Sequence, residues 1–99
     1  MLKIVMAEAG AGRAVLHLEG QVVGPWVAEL ERVCAPLLGG GTALWLDLST
    51  VSFVSREGVD LLARLCHERA RLLNCSRFVA EQLRAAGDDP LEGTGEERA

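Results

Sequence analysis

No apolar run in this chain of 99 residues comes near the ~20 needed to cross a bilayer, so no helical membrane insertion is expected. Met1 leads straight into a strand-like Leu2-Lys3-Ile4-Val5-Met6, without the basic region and long apolar segment of a secretory leader, and the expected compartment is the cytoplasm. The three cysteines (Cys34, Cys66, Cys75) are odd in number and lack C-x-x-C or His-paired spacing, so no metal site is expected and buried thiols in a reducing compartment are. A Gly-rich phosphate loop after a strand, a convergent carboxylate pair and a nucleophile–base couple are all missing. No catalytic residue and no cofactor are therefore expected, and the enzyme class is set aside.

An excess of basic charge is missing as well. Residues 1–86 carry nine Lys/Arg (Lys3, Arg13, Arg32, Arg56, Arg64, Arg69, Arg71, Arg77, Arg84) and nine Asp/Glu, so they are balanced. The net charge of −4 resides in the stretch from Gly87, which has five acids (Asp88, Asp89, Glu92, Glu96, Glu97) against Arg98. Nucleic-acid binding through a basic face gets no support. The expected organisation is one domain over residues 1–87 and an acidic, solvated tail over 88–99.

What the chain does have is 49% hydrophobic residues, enough for a core, arranged with changing periodicity. Leu2–Met6 predicts a strand, Ala9–Gly12 a turn, and Arg13–Glu19 a second strand paired with the first as a hairpin, with His17 on its less buried face as a structural residue. Gly24-Pro25 opens a helix with proline at its first position. Its buried stripe is Val27, Leu30, Val33, Cys34, Leu37 and Leu38. Pro36, which cannot donate to residue 32, predicts an end or kink near Cys34, and Gly39-Gly40-Gly41 stops the helix.

Thr42–Leu48 is the strongest strand. Ala43-Leu44-Trp45-Leu46 is apolar at successive positions, which predicts a central strand covered on both faces with Trp45 in the core; Trp26 is left open between core and partial exposure. A second helix is expected from about Arg56 to Ala70, with Val59, Leu62, Leu65, Cys66 and Arg69/Ala70 inward, and with Asp60–Arg64 and Arg64–Glu68 as surface pairs. Leu72–Cys75 reads as a fourth strand. Ser76 caps a third helix over Arg77–Ala86, with Phe78, Val79, Leu83 and Ala86 inward and Gly87 closing it. The order β-β-α-β-α-β-α predicts an α/β fold: a mostly parallel four-stranded sheet with an antiparallel N-terminal edge strand and three helices.

Leu44–Leu62, LWLDLSTVSFVSREGVDLL, carries the functional signal. A strand runs into a polar turn and then a helix, presenting a loop and a helix amino end at one edge of the sheet. Leu46–Leu62, with Cys75–Gly87 (CSRFVAEQLRAAG) and Gly20–Glu31 (GQVVGPWVAELE), resembles the STAS family of anti-sigma factor antagonists and sulfate-transporter tails. The resemblance spans residues 2 to about 87. It implies a non-enzymatic protein-interaction module, docking an anti-sigma factor or kinase-like regulator. The alternative it leaves open is a STAS subunit bound to the ATPase of a lipid-transport ABC complex.

The family's turn reads Asp-Ser-Ser-Gly, and its phosphoacceptor is the serine directly after the aspartate. Here the turn is Ser55-Arg56-Glu57-Gly58, so Arg56 occupies the acceptor position and only Gly58 matches. Arginine has no hydroxyl to accept a phosphoryl group, and the phosphoserine switch is expected to be missing at that position. Ser55 reads as the helix N-cap, with phosphorylation there as the open alternative; Ser52 and Thr50 are further hydroxyls that the resemblance does not single out. Asp47 and Ser49 are expected to hold the turn through side-chain-to-backbone bonds, and Gly58 to permit close helix–sheet approach. The expected partner-binding residues are Ser52, Val54, Ser55, Arg56, Glu57, Gly58 and Asp60.

Overall fold

The computed structural model describes residues 1–85. Its first two strands form the expected hairpin, β1 (Leu2–Gly10) antiparallel to β2 (Arg13–Val22). Both run further than the sequence pattern predicts, because cross-strand pairing carries poor strand formers such as Ala9 and Gly10 into the sheet. The turn contracts to Ala11-Gly12, both at positive φ (54° and 80°), the conformation that two-residue hairpin loops need.

Helix α1 (Pro25–Gly39) opens on Pro25 as expected but does not end near Cys34; it continues through Pro36. Pro36 forfeits one backbone bond, and the segment beyond it is held by Leu37 and Leu38 packing on the core. The glycine run then stops it. Gly41 (φ 81°) takes the left-handed conformation, and the N–H groups of Gly41 and Thr42 donate to Leu38 and Leu37 carbonyls at 3.0 and 2.9 Å.

Strand β3 (Ala43–Val54) lies between β2 and the short β4 (Arg71–Leu73), parallel to both, giving the order β1-β2-β3-β4. The expectation that β3 is covered on both faces fails. Leu44, Leu46 and Leu48 are buried, together with Leu16 and Leu18 of β2, in a single cluster with the buried residues of the helices. The intervening Val15, His17, Trp45 and Asp47 are only half-buried, on a face that no helix among the described residues covers. Trp45 is therefore not core: it lies on the open face, with the Arg71 guanidinium 5.7 Å from its ring centroid. An aromatic on the wet side of a strand makes the local pattern look uniformly apolar. Trp26 is half-buried against the core.

Helix α2 (Arg56–His67) stops three residues short of Ala70. Arg69 turns left-handed (φ 81°), and the N–H groups of Arg69 and Ala70 donate to the Cys66 and Leu65 carbonyls at 3.0 and 2.9 Å. Gly58, Val59, Leu61, Leu62 and Leu65 form its buried side, and Cys66 faces solvent rather than the core. Arg64 hydrogen-bonds Glu31 of α1 at 2.7 Å, an exposed pair of small energetic weight, and the expected neighbour Glu68 adds only a weaker charge interaction. Helix α3 (Arg77–Ala85) is capped as predicted, Ser76 Oγ accepting from the Val79 N–H at 3.1 Å. Val79 and Leu83 point inward, but Phe78 does not: it is 55% exposed. Ala86, Gly87 and the tail 88–99 lie outside the described residues.

Candidate functional site

The site begins with two irregularities in β3. Along the β2–β3 pairing His17 faces Asp47 but Glu19 faces Thr50, and Gly20 faces Val51 but Gln21 faces Phe53. At each place β3 holds one residue more than β2, a bulge that shifts the in–out alternation by one position. The inward positions accordingly run Leu44, Leu46, Leu48, then Val51, then Val54. Ser49, Thr50, Ser52 and Phe53 are left at the surface. What reads in sequence as a polar turn is the bulged second half of the strand.

Asp47 and Ser49 make the expected side-chain-to-backbone bond, but it braces the first bulge in mid-strand rather than ending the strand. Asp47 Oδ1 accepts from the Ser49 N–H at 2.9 Å and from Asn74 Nδ2 at 3.2 Å. The Ser49 backbone N–H, chiefly, pulls the Asp47 carboxyl from an ordinary 3.8 down to about 2. A carboxylate lowered on folding adds stability that is present above pH 3.8 and lost as pH falls toward 2. Asp47→Asn should therefore remove part of the acid-side loss in that window; chemical denaturation from pH 5 to about 2 measures it. His17 lies in the same cluster, Nδ1 3.3 Å from Asp47 Oδ2 and Nε2 2.9 Å from Thr50 Oγ1. The Thr50 hydroxyl itself donates to the Leu18 carbonyl at 2.9 Å, tying β3 to β2 across the bulge.

At the end of β3 the chain passes into α2 through Ser55 alone. The Ser55 N–H donates to the Val22 carbonyl at 2.9 Å, and its Oγ accepts from the Gly58 N–H at 3.1 Å. Ser55 is thus the helix N-cap, a role worth about 0.5–2 kcal/mol. Glu57 sits in the first turn, where its charge suits the helix dipole. Gly58 is pressed onto the sheet: a Cβ there would fall 2.7 Å from the Val22 carbonyl oxygen and 2.7 Å from Val54 Cγ1.

The seven expected partner-binding residues therefore divide. Ser52, Arg56, Glu57 and Asp60 are exposed and Ser55 is half-buried, while Val54 and Gly58 are buried beneath them and support the edge from inside. Two features escaped the sequence reading. The Gln82 side-chain amide of α3 pairs with both backbone groups of Val54, accepting from its N–H at 3.2 Å and donating to its carbonyl at 2.6 Å. Phe53 (39% exposed) meets Phe78 of α3, ring centroids 6.3 Å apart, forming an exposed aromatic pair beside the turn. The phase shift at the second bulge turns Phe53 outward, and nothing in a one-dimensional pattern reports it.

No family model and no curated protein sequence matches the chain. Solved structures do. The anti-sigma factor antagonist SpoIIAA in its unphosphorylated form superposes with a TM-score of 0.69 at 18% identity, over 83% of this chain and 82% of that one. An anti-sigma factor antagonist from Mycobacterium paratuberculosis gives 0.76 at 19% identity, over 95% and 82%. A Shewanella loihica protein described as having a SpoIIAA-like fold gives 0.54 at 10% identity, over 87% and 76%. With its antiparallel first strand, three parallel strands and three helices in the order β-β-α-β-α-β-α, the chain has the SpoIIAA-like fold.

Proposed function

We propose that the β3–α2 edge is a protein-docking surface, and that the chain is a non-enzymatic interaction module of the anti-sigma factor antagonist kind without a phosphoserine switch at position 56. The observation that carries this reading is the exposure of Arg56 and Glu57 on the first turn of α2, in a fold otherwise found in anti-sigma factor antagonists. Ser52 and Asp60 extend the exposed polar set, and Phe53 with Phe78 adds apolar surface of the sort that anchors an interface. The Ser55 hydroxyl is already engaged as a cap, which supports a structural role for it. The partner that fits the first reading is a cytosolic anti-sigma factor or kinase-like regulator. The second reading, permanent attachment to an ABC-transporter ATPase, is favoured by the same arginine, since a contact that is never switched needs no acceptor hydroxyl.

Affinity capture with the full chain, followed by identification of the bound protein, separates the two readings. Incubation with that partner and ATP should leave no phosphate at position 56, and a stoichiometric phosphate on Ser55 would restore the switch. Reversing the charges with Arg56→Glu and Glu57→Lys should weaken the complex about tenfold while leaving thermal unfolding unchanged. Undiminished affinity in a folded variant would remove this edge as the interface.

A further inference from the structure

The sheet has two edges, and they are finished differently. On one side β4 spans only Arg71–Leu73, and past it the Gln82 amide occupies both backbone groups of Val54. On the other side β1 extends from Leu2 to Gly10, and among the described residues no strand lies beyond it. Met1, Val5 and Met6, three of the five large hydrophobics exposed among the described residues, lie along this edge. Natural edge strands are ordinarily protected by proline, by charge or by a bulge. From Leu2 to Met6 the strand has no proline and one charge, Lys3, and its irregularity comes only between Met6 and Glu8.

We propose that β1 pairs antiparallel with β1 of a second copy of this chain, with Val5 at the two-fold axis, joining two four-stranded sheets into one. The register follows from which face each side chain occupies. Lys3, Val5 and Glu8 pair with Glu19, His17 and Val15 of β2, which puts them on the uncovered face. Leu2, Ile4 and Met6 pair with Gly20, Leu18 and Leu16, which puts them on the helix side. With Val5 opposite Val5, Ile4 meets Met6 of the second copy on the helix side, and symmetry repeats the contact. Lys3 then stands opposite Ala7 and beside Glu8 of the second copy on the uncovered face, so two opposite-charge pairs flank the axis. A slip of one residue sets apolar side chains against the wrong face. A slip of two, with Ile4 at the axis, carries Glu8 past the end of the second strand and loses both charge pairs.

Such an interface uses the same surface on both copies and is closed, so it yields a dimer rather than a filament. The far edge offers only the three residues of β4, and past them Gln82 already occupies the backbone of Val54, so it gives a second sheet little to pair with. A two-fold axis normal to the sheet points the ends of the two β3 strands in opposite directions. Both Arg56–Glu57 turns remain uncovered, and the dimer presents them at opposite ends. This inference rests on β1 alone and stands or falls apart from the docking role of the β3–α2 edge.

Sedimentation equilibrium of the full chain up to millimolar concentration tests it. A monomer–dimer equilibrium is expected. Val5→Lys, which opposes two ammonium groups at the axis, should raise the dissociation constant at least about tenfold. Lys3→Glu and Glu8→Lys should each weaken the dimer several-fold, and the two together should restore it toward the unsubstituted protein. That rescue decides the matter even if Val5→Lys fails to fold. A single monomeric species over the whole range, or a dimer indifferent to both the Val5 change and the charge reversals, overturns the proposal.

Discussion

Leu46→Ala should cost about 2–5 kcal/mol, a large share of the total stability of a domain this size. Leu46 is fully buried near the middle of β3, paired with Leu16 on one side and Leu72 on the other, and its side chain faces the helices. Removing its isobutyl group leaves a hole under packed helices, which can refill only by shifting those helices against the sheet. For a chain this short the loss corresponds to a fall in Tm of roughly 10–30 °C. The informative control is the next residue. Trp45→Ala removes a larger side chain, but from the open face, where the ring is half-exposed and is met by the flexible Arg71. It should be the milder substitution of the two. A larger loss for Trp45 in urea denaturation would mean that the face shown bare here is covered in solution.

Gly58→Ala should destabilise the protein by about 1–3 kcal/mol, against the direction that helix propensity alone predicts. In an ordinary helix this change is worth up to about 1 kcal/mol of stabilisation. Here the new methyl would lie 2.7 Å from the Val22 carbonyl oxygen, 2.7 Å from Val54 Cγ1 and 3.0 Å from Val22 Cγ1. The carbonyl cannot withdraw cheaply, because it already accepts the Ser55 N–H. Relief must come from lifting the first turn of α2 off the sheet, which also moves Arg56 and Glu57. On the docking role proposed for these two residues, partner affinity should fall together with stability. Gly39→Ala is the matched control: it lies in α1 with open space where its Cβ would go, and should be neutral or stabilising by about 0.5–1 kcal/mol. If both glycine variants behave alike, the close approach at Gly58 is not what constrains it.

The difference between those two glycines shows what could be read in advance. The order of elements, the hairpin, the helix start at Pro25 and the caps at Ser55 and Ser76 were legible because each depends on residues within a turn or two of each other. Periodicity also identified most of the helices' buried stripes, Leu30 with Cys34 and Val59 with Leu62 and Leu65 among them. Trp45, Cys66 and Phe78 were misplaced for one shared reason. An apolar side chain next to a buried position is indistinguishable, in one dimension, from a buried one. The end of α2 was misjudged because arginine rather than glycine takes the left-handed closing position there.

At the candidate site the division is sharper. The residue types of the turn, above all the arginine at position 56, are a matter of sequence alone, and so is the glycine that lets helix meet sheet. Which of those residues a partner could touch was settled by tertiary packing. Two bulges re-phase β3 against β2, so Val54 turns in, Phe53 turns out, and Gln82 reaches across from α3 to hold the strand end. Local chemistry selects strand, cap and helix through interactions spanning a few residues. The register between strands, and with it the side each residue faces, is decided only when distant segments pair and a two-residue periodicity has to accommodate an extra residue.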